Sequence, residues 1–256
     1  MKFLGIDFGW MSGASGLCCL KWQDGTLQLL DLRRYSTIED ILAWVDAWAP
    51  APEPAMIAVD APTLIPNATG MRLPDKLAHK YFGRYHAGCY PANLSSRFAQ
   101  RTTELGLSLE ARDFLHAPIL ENQSRERYQI EVFPHPAIVN LFQLNRILKY
   151  KKGRLSERRL ELAKLQQYIL KGLPALEPKL DRLTLENIKS NQESDIFCDL
   201  NTLAGSHLKA VEDQLDALIC AYVAVHWWYW GLERNLVLGD CSTGYIVIPS
   251  RSERYL

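Results

Sequence analysis

Residues 2–10 read Lys2-Phe3-Leu4-Gly5-Ile6-Asp7-Phe8-Gly9-Trp10, and the fold turns on them. Phe3, Leu4 and Ile6 make a short apolar strand, and Asp7 breaks the apolar run where that strand ends. A charge inside an apolar strand is costly unless something offsets it. Gly9, Ser12, Gly13, Ser15 and Gly16 follow, a turn with little side-chain bulk. The combination suits a carboxylate at a strand tip holding a metal, with backbone free to approach phosphate. Many strands end in Asp before a glycine turn, so the weight falls on acids elsewhere in the chain.

Outward from this stretch, Gly16 to Trp22 and Thr26 to Leu32 are apolar-rich runs joined by Gln23-Asp24-Gly25. An Asp-Gly turn between such runs signals a hairpin, so the first three strands form an antiparallel meander. Thr37 caps a helix over Ile38 to Trp48, with Ile41, Leu42, Val45 and Trp48 on one face. The prolines of residues 49–54 end it. Ala55 to Val59 is a continuously apolar strand that ends at Asp60, and it is expected parallel to the first.

Residues 63–127 form an irregular helical and loop insertion, punctuated by glycine and proline. Its cationic groups, among them Arg72, Lys76, His79, Arg84, His86 and Arg101, alternate with Tyr81, Phe82, Tyr85 and Tyr90. Such interleaving can line a nucleic-acid groove, or it can be solvated helix faces with aromatic anchors. Tyr128 to Phe133 is a fifth strand carrying Glu131, and Pro134-His135-Pro136 starts a helix after it. Lys149, Lys151, Lys152 and Arg154 cluster before Ser156, the expected cap of a helix from Glu157 to Leu170. That helix turns Leu160, Leu162, Ala163 and Leu165 to the core. Pro178 to Glu193 is a charged, exposed excursion with a short helix. Ser206 caps a last long helix, His207 to Trp230, and Leu236 to Leu238 pairs with Tyr245 to Ile248 as an edge hairpin. One domain accounts for residues 1–256.

The composition is ordinarily globular, 48% hydrophobic and 23% charged, with a formal net charge of zero. That excludes a basic nucleic-acid coat but leaves room for a local basic groove. The six cysteines have neither CxxC nor zinc-ligand spacing, so free thiols in a reducing cytoplasm are expected. Ala217 to Trp230 is shorter than the roughly 20 apolar residues of a membrane span, so a buried helix and no membrane partner are expected.

Asp7, Asp60, Glu131 and the pair Asp213/Asp216 are the acids that matter. Three end or interrupt apolar strands, and the pair lies three apart on one face of the last helix. Converging carboxylates repel one another, and a hard divalent cation relieves the repulsion. Oxygen-only donors favour Mg2+ or Mn2+ over zinc. Two such ions about 4 Å apart activate water and stabilise the leaving oxygen of a phosphodiester.

On these residues the chain resembles the RNase H-like superfamily, in which three antiparallel strands precede alternating helices and strands. The resemblance implies an α/β fold with an RNase H-like mixed sheet, flanked by helices, with the insertion between strands four and five. It also implies metal ligands at Asp7, Asp60 and Asp216. The D-x-x-D spacing of Asp213 and Asp216 looks like that of junction-resolving nucleases. More closely, the chain resembles the bacterial family called domain of unknown function 429, described as predicted nucleases of RNase H fold. The matching stretches are GIDFGW, AVDAP, GMR, EVFPHPA, the YKK of KYKKGR, and DQLDALICAYVA. Glu131 is not a standard ligand of the superfamily. It can replace one acid, orient Arg72 or Lys151, or pair with them.

The leading expectation is therefore a metal-dependent nuclease. Asp7, Asp60, Glu131, Asp213 and Asp216 form its catalytic set, and Arg72, Lys151, Lys152 and Arg154 hold the phosphates of a nucleic acid or nucleotide. The alternatives are a non-catalytic binding module of the same fold and, third, an actin/Hsp70/sugar-kinase-like ATP-binding protein. The third normally needs a second copy of the core, for which Leu236 to Ile248 is too short.

Overall fold

The computed structural model describes residues 1–187 and 196–251. The meander forms as expected: β1 (Lys2–Asp7), β2 (Ser15–Gln23) and β3 (Thr26–Tyr35) are antiparallel neighbours. Helix α1 (Ile38–Trp48) starts at Thr37, whose hydroxyl accepts from the Asp40 amide at 3.1 Å. Its buried face is Ile38, Ile41, Trp44 and Val45. β4 (Ala55–Val59) returns parallel to β1.

The insertion folds as α2 (Leu73–Phe82), a short 3-10 turn, α3 (Ala99–Glu110) and a two-residue strand, β5 (Leu115–His116). β5 gave no sequence signal because two residues carry no alternation. β6 (Arg127–Glu131) pairs parallel with both β4 and β5, which gives a six-stranded order β3-β2-β1-β4-β6-β5. The sheet is thus mixed, three antiparallel strands followed by parallel ones, with helices on its faces. β6 stops at Glu131, two residues short of the expected end, because Phe133 already begins the turn into α4 (Pro134–Leu141).

α5 (Leu155–Gly172) begins with Arg154 and not Ser156 as its cap. Its core side is Leu162, Leu165, Gln166 and Ile169, and Leu160 points to solvent at 64% exposure. α6 (Arg182–Asn187) is the short helix expected in the charged excursion, whose residues 188–193 lie outside the described ones. α7 (Gly205–Trp230) starts one residue before Ser206, with Ala204 as its cap. β7 (Asn235–Asp240) and β8 (Gly244–Pro249) pair as expected, but in a sheet of their own, joined to the main body by a bridge between Val132 and Val247.

Two apolar cores lie on opposite faces of the large sheet. Leu4, Ile6, Ile57 and Val59 pack against α1 and α3, while Phe3, Met56 and Ala58 pack on the side of α7. Side chains of a strand alternate between faces. Positions 3, 5 and 7, and 56, 58 and 60, therefore share the α7 face. Buried from Val211 to Trp228, α7 is the central helix of the fold. None of the described helices is long and apolar enough to cross a membrane.

Candidate active site

Two glycines let α7 lie directly on the sheet. A Cβ on Gly5 would stand 2.0 Å from the Ala217 carbonyl oxygen, and one on Gly16 would stand 1.9 Å from that of Asp213. The helix backbone touches the strands, so its acids sit beside the end of β1.

Asp7 and Asp60 come from the ends of adjacent parallel strands. The Asp60 amide donates to the Ile6 carbonyl at 2.9 Å, which sets the two residues side by side. Burial pushes both carboxyls up against the pull of Lys151; the charge of Asp216 adds to the rise at both, and that of Asp60 adds to it at Asp7. Asp60 rises to about 6, and Asp7 lies well above the carboxylate range. The two adjacent carboxyls therefore hold protons to higher pH than free ones do.

Asp216 is fully buried. Its Oδ1 accepts from the Tyr150 hydroxyl at 2.7 Å, and its Oδ2 lies 2.7 Å from Lys151 Nζ. The same ammonium stands 3.9 Å from Asp7 Oδ1. Burial opposes the charge on Lys151, but Asp216 and Asp7 outweigh it, so the amine stays protonated. Asp213 is held on both oxygens, by Arg34 at 2.9 Å and Lys209 at 2.6 Å.

Glu131 lines a common cavity with Asp7 and Asp60 but is engaged by Arg72. It is the register partner of Val59, out of phase with Asp60, and Arg72 grips it through two bonds of 2.7 and 2.6 Å. Arg72 also bonds Asp75 and the Leu64 carbonyl and is only 3% exposed. It is a buried strut and not a free phosphate-binding fork. Burial lifts Glu131 to about 7 even against Arg72.

A cavity of about 740 Å³ opens over the acids. Asp7, Asp60 and Asp213 line it together with Lys149, Lys151 and Lys152, and Tyr90 comes in from the insertion. Arg154 is exposed on the cap of α5 and is not among the lining residues. Of the insertion's other expected groove residues, His86 reaches the cavity, whereas Phe82 and Tyr85 are core and Arg101 is bonded to the Gly9 and Ser36 carbonyls. That bond from α3 and a Gly9 amide to Ser15 Oγ contact of 3.0 Å fix the turn after β1.

The sequence reading passed over His135, Tyr150 and Lys209. His135 lines the cavity with a buried Nδ1 that has no partner, and burial lowers its pKa to about 4, so it is a neutral imidazole. His135 and Tyr150 lie within EVFPHPA and YKK, where the flanking prolines signal a helix start and the lysines signal charge, and neither points to the cavity.

Among the described residues, no group of three or more His, Cys, Asp or Glu side chains stands in the arrangement of a ready metal centre. The donors that fit a hard cation are Asp7 and Asp60, an oxygen-only pair of raised carboxyls whose protons an ion would displace. Asp216 can join them once Lys151 releases its oxygen; Asp213 and Glu131 are held by cations of the protein itself.

Fold and site together define an α/β protein whose mixed sheet carries paired acids at the ends of β1 and β4, beneath a lysine-lined cavity. The chain belongs to the family described as protein of unknown function DUF429, whose model matches residues 5–236. No curated protein matches the chain, and no solved structure does.

Proposed function

We propose that the protein is a metal-dependent nuclease of RNase H-like type, which hydrolyses a phosphodiester bond at Asp7 and Asp60. The observation that carries this reading is the pair of carboxylates at two adjacent parallel strand ends, lining one cavity together with Lys149, Lys151 and Lys152. A divalent ion on that pair supplies Lewis-acid activation of water and of a phosphoryl oxygen. Lys149 and Lys152 hold the phosphate as point charges. Lys151 stands between Asp7 and Asp216 and offsets their charge. His135, neutral and unpartnered at Nδ1, orients the attacking water or the leaving oxygen. Water adds to phosphorus, the bond to the leaving oxygen breaks, and that oxygen takes up a proton.

Lys151 also favours the second reading, a non-catalytic nucleotide-binding module, because it neutralises Asp216 without any metal. Incubation with RNA, DNA and hybrid strands in Mg2+ or Mn2+ separates the two. The nuclease reading expects metal-dependent cleavage that chelation stops and Asp7→Asn abolishes, with the fold of the variant kept, since Asn has nearly the shape of Asp. If none of these substrates is cut with either ion, the reading fails.

A further inference from the structure

We infer that the cavity accepts an unpaired nucleotide, one base with its phosphate, and not a phosphate of an intact duplex. The inference rests on the nuclease reading and deepens it. Its first support is depth. Asp7 is 8% exposed and Asp60 beside it is half-buried, so the pair is recessed in the cavity and not on an open face. A duplex presents its phosphates on a stiff, convex surface, whereas enzymes that work inside a pocket take the target nucleotide out of the stack. The volume of about 740 Å³ falls within the range of roughly 300–1,000 Å³ usual for small-ligand sites.

The second support is the chemistry of the rim. Tyr90 lines the cavity yet is 66% exposed, and Met11 in the turn after β1 is 56% exposed. Exposed apolar and aromatic faces beside lysines match a base next to its phosphate, because stacking on an aromatic ring is available to any unpaired base. The third support is a clasp. Lys152 Nζ donates to the Tyr90 hydroxyl at 3.2 Å, which links the insertion to the basic loop at the cavity. A ligand with an anionic phosphate and a flat base satisfies both partners of that link at once.

The test compares four probes with Mn2+: a dinucleoside monophosphate, a short linear single strand, the same strand in a blunt duplex, and a covalently closed circular duplex. Cleavage of the linear strand with the blunt duplex at least about tenfold slower and the circle intact supports the inference. Cleavage of the dinucleotide alone also supports it and assigns the site to free nucleotides. A circle cut as fast as the single strand overturns the inference and leaves the nuclease reading standing. If all four remain intact, both fail. Tyr90→Ala is expected to raise KM about tenfold with kcat little changed, and Tyr90→Phe to recover most of that loss. An unchanged KM in Tyr90→Ala overturns the stacking role.

Discussion

Asp7 and Glu131 both interrupt apolar strands, and they end in opposite circumstances. Asp7 meets a second acid and a lysine; Glu131 meets Arg72 from 59 residues upstream, in a pair 2% and 5% exposed. Removing one member of a buried ion pair leaves the other uncompensated. Arg72 keeps Asp75, so the loss is partial: Glu131→Gln is expected to destabilise the protein by about 1.5–3 kcal/mol, read as a lower denaturant midpoint. A change below about 1 kcal/mol would refute the strut. Asp7 and Asp60 were legible in the sequence, because strand alternation puts both on one face. The partner of Glu131 was not, since nothing local to Tyr128 to Phe133 points to Arg72. His135 was hidden for another reason: its prolines explain the helix start by themselves.

At the scale of elements, the contact between α7 and the sheet decides whether a site exists. Gly5 was readable as a strand residue, but the helix backbone 2.0 Å from its missing Cβ was not, because that contact joins residues 5 and 217. Gly5→Ala must push the helix off β1, and overpacking of this kind costs about 1–3 kcal/mol or more. Gly83→Ala is the contrast: its φ of −55° and ψ of −38° suit alanine, and no atom lies within 4 Å of the added methyl. That variant is expected to gain about 0.4–1 kcal/mol through the unfolded state. Urea denaturation of both, with unchanged slope, checks the pair of signs. The meander, α1 and β4 were legible because their signals are local: a turn, a cap, an apolar run. The exposed Leu160 shows the limit, since which side of α5 is buried depends on where α7 lies.

For the whole molecule, the cavity draws its walls from the turn after β1, the insertion, the strand ends, the basic loop and α7. No sequence pattern carries such an assembly, although the separate acids and lysines were visible in it. Its electrostatics set a pH dependence. The folded Asp60 keeps its proton up to about pH 6, whereas an unfolded carboxyl with the ordinary value of 3.8 has released it. The folded state thus binds more protons across that window, and this contribution to metal-free stability falls as pH rises from about 4 to 6. Asp7, raised further, extends the loss upward. An ion must displace the protons that these raised carboxyls hold, so the rise in Tm produced by Mn2+ is expected to be small at pH 5 and large at pH 8. At a hundredfold excess over Kd the gain is about 2.7 kcal/mol. A Tm rise independent of pH would contradict proton displacement.

The most direct test of the central claim is a titration of Mn2+ at pH 8, followed by the loss of its free-ion electron paramagnetic resonance signal, for the wild type and Asp7→Asn. The account predicts saturable binding by the wild type and a loss of at least about tenfold in affinity in the variant. Equal binding by both, or none by either, would contradict a cation site on Asp7 and Asp60.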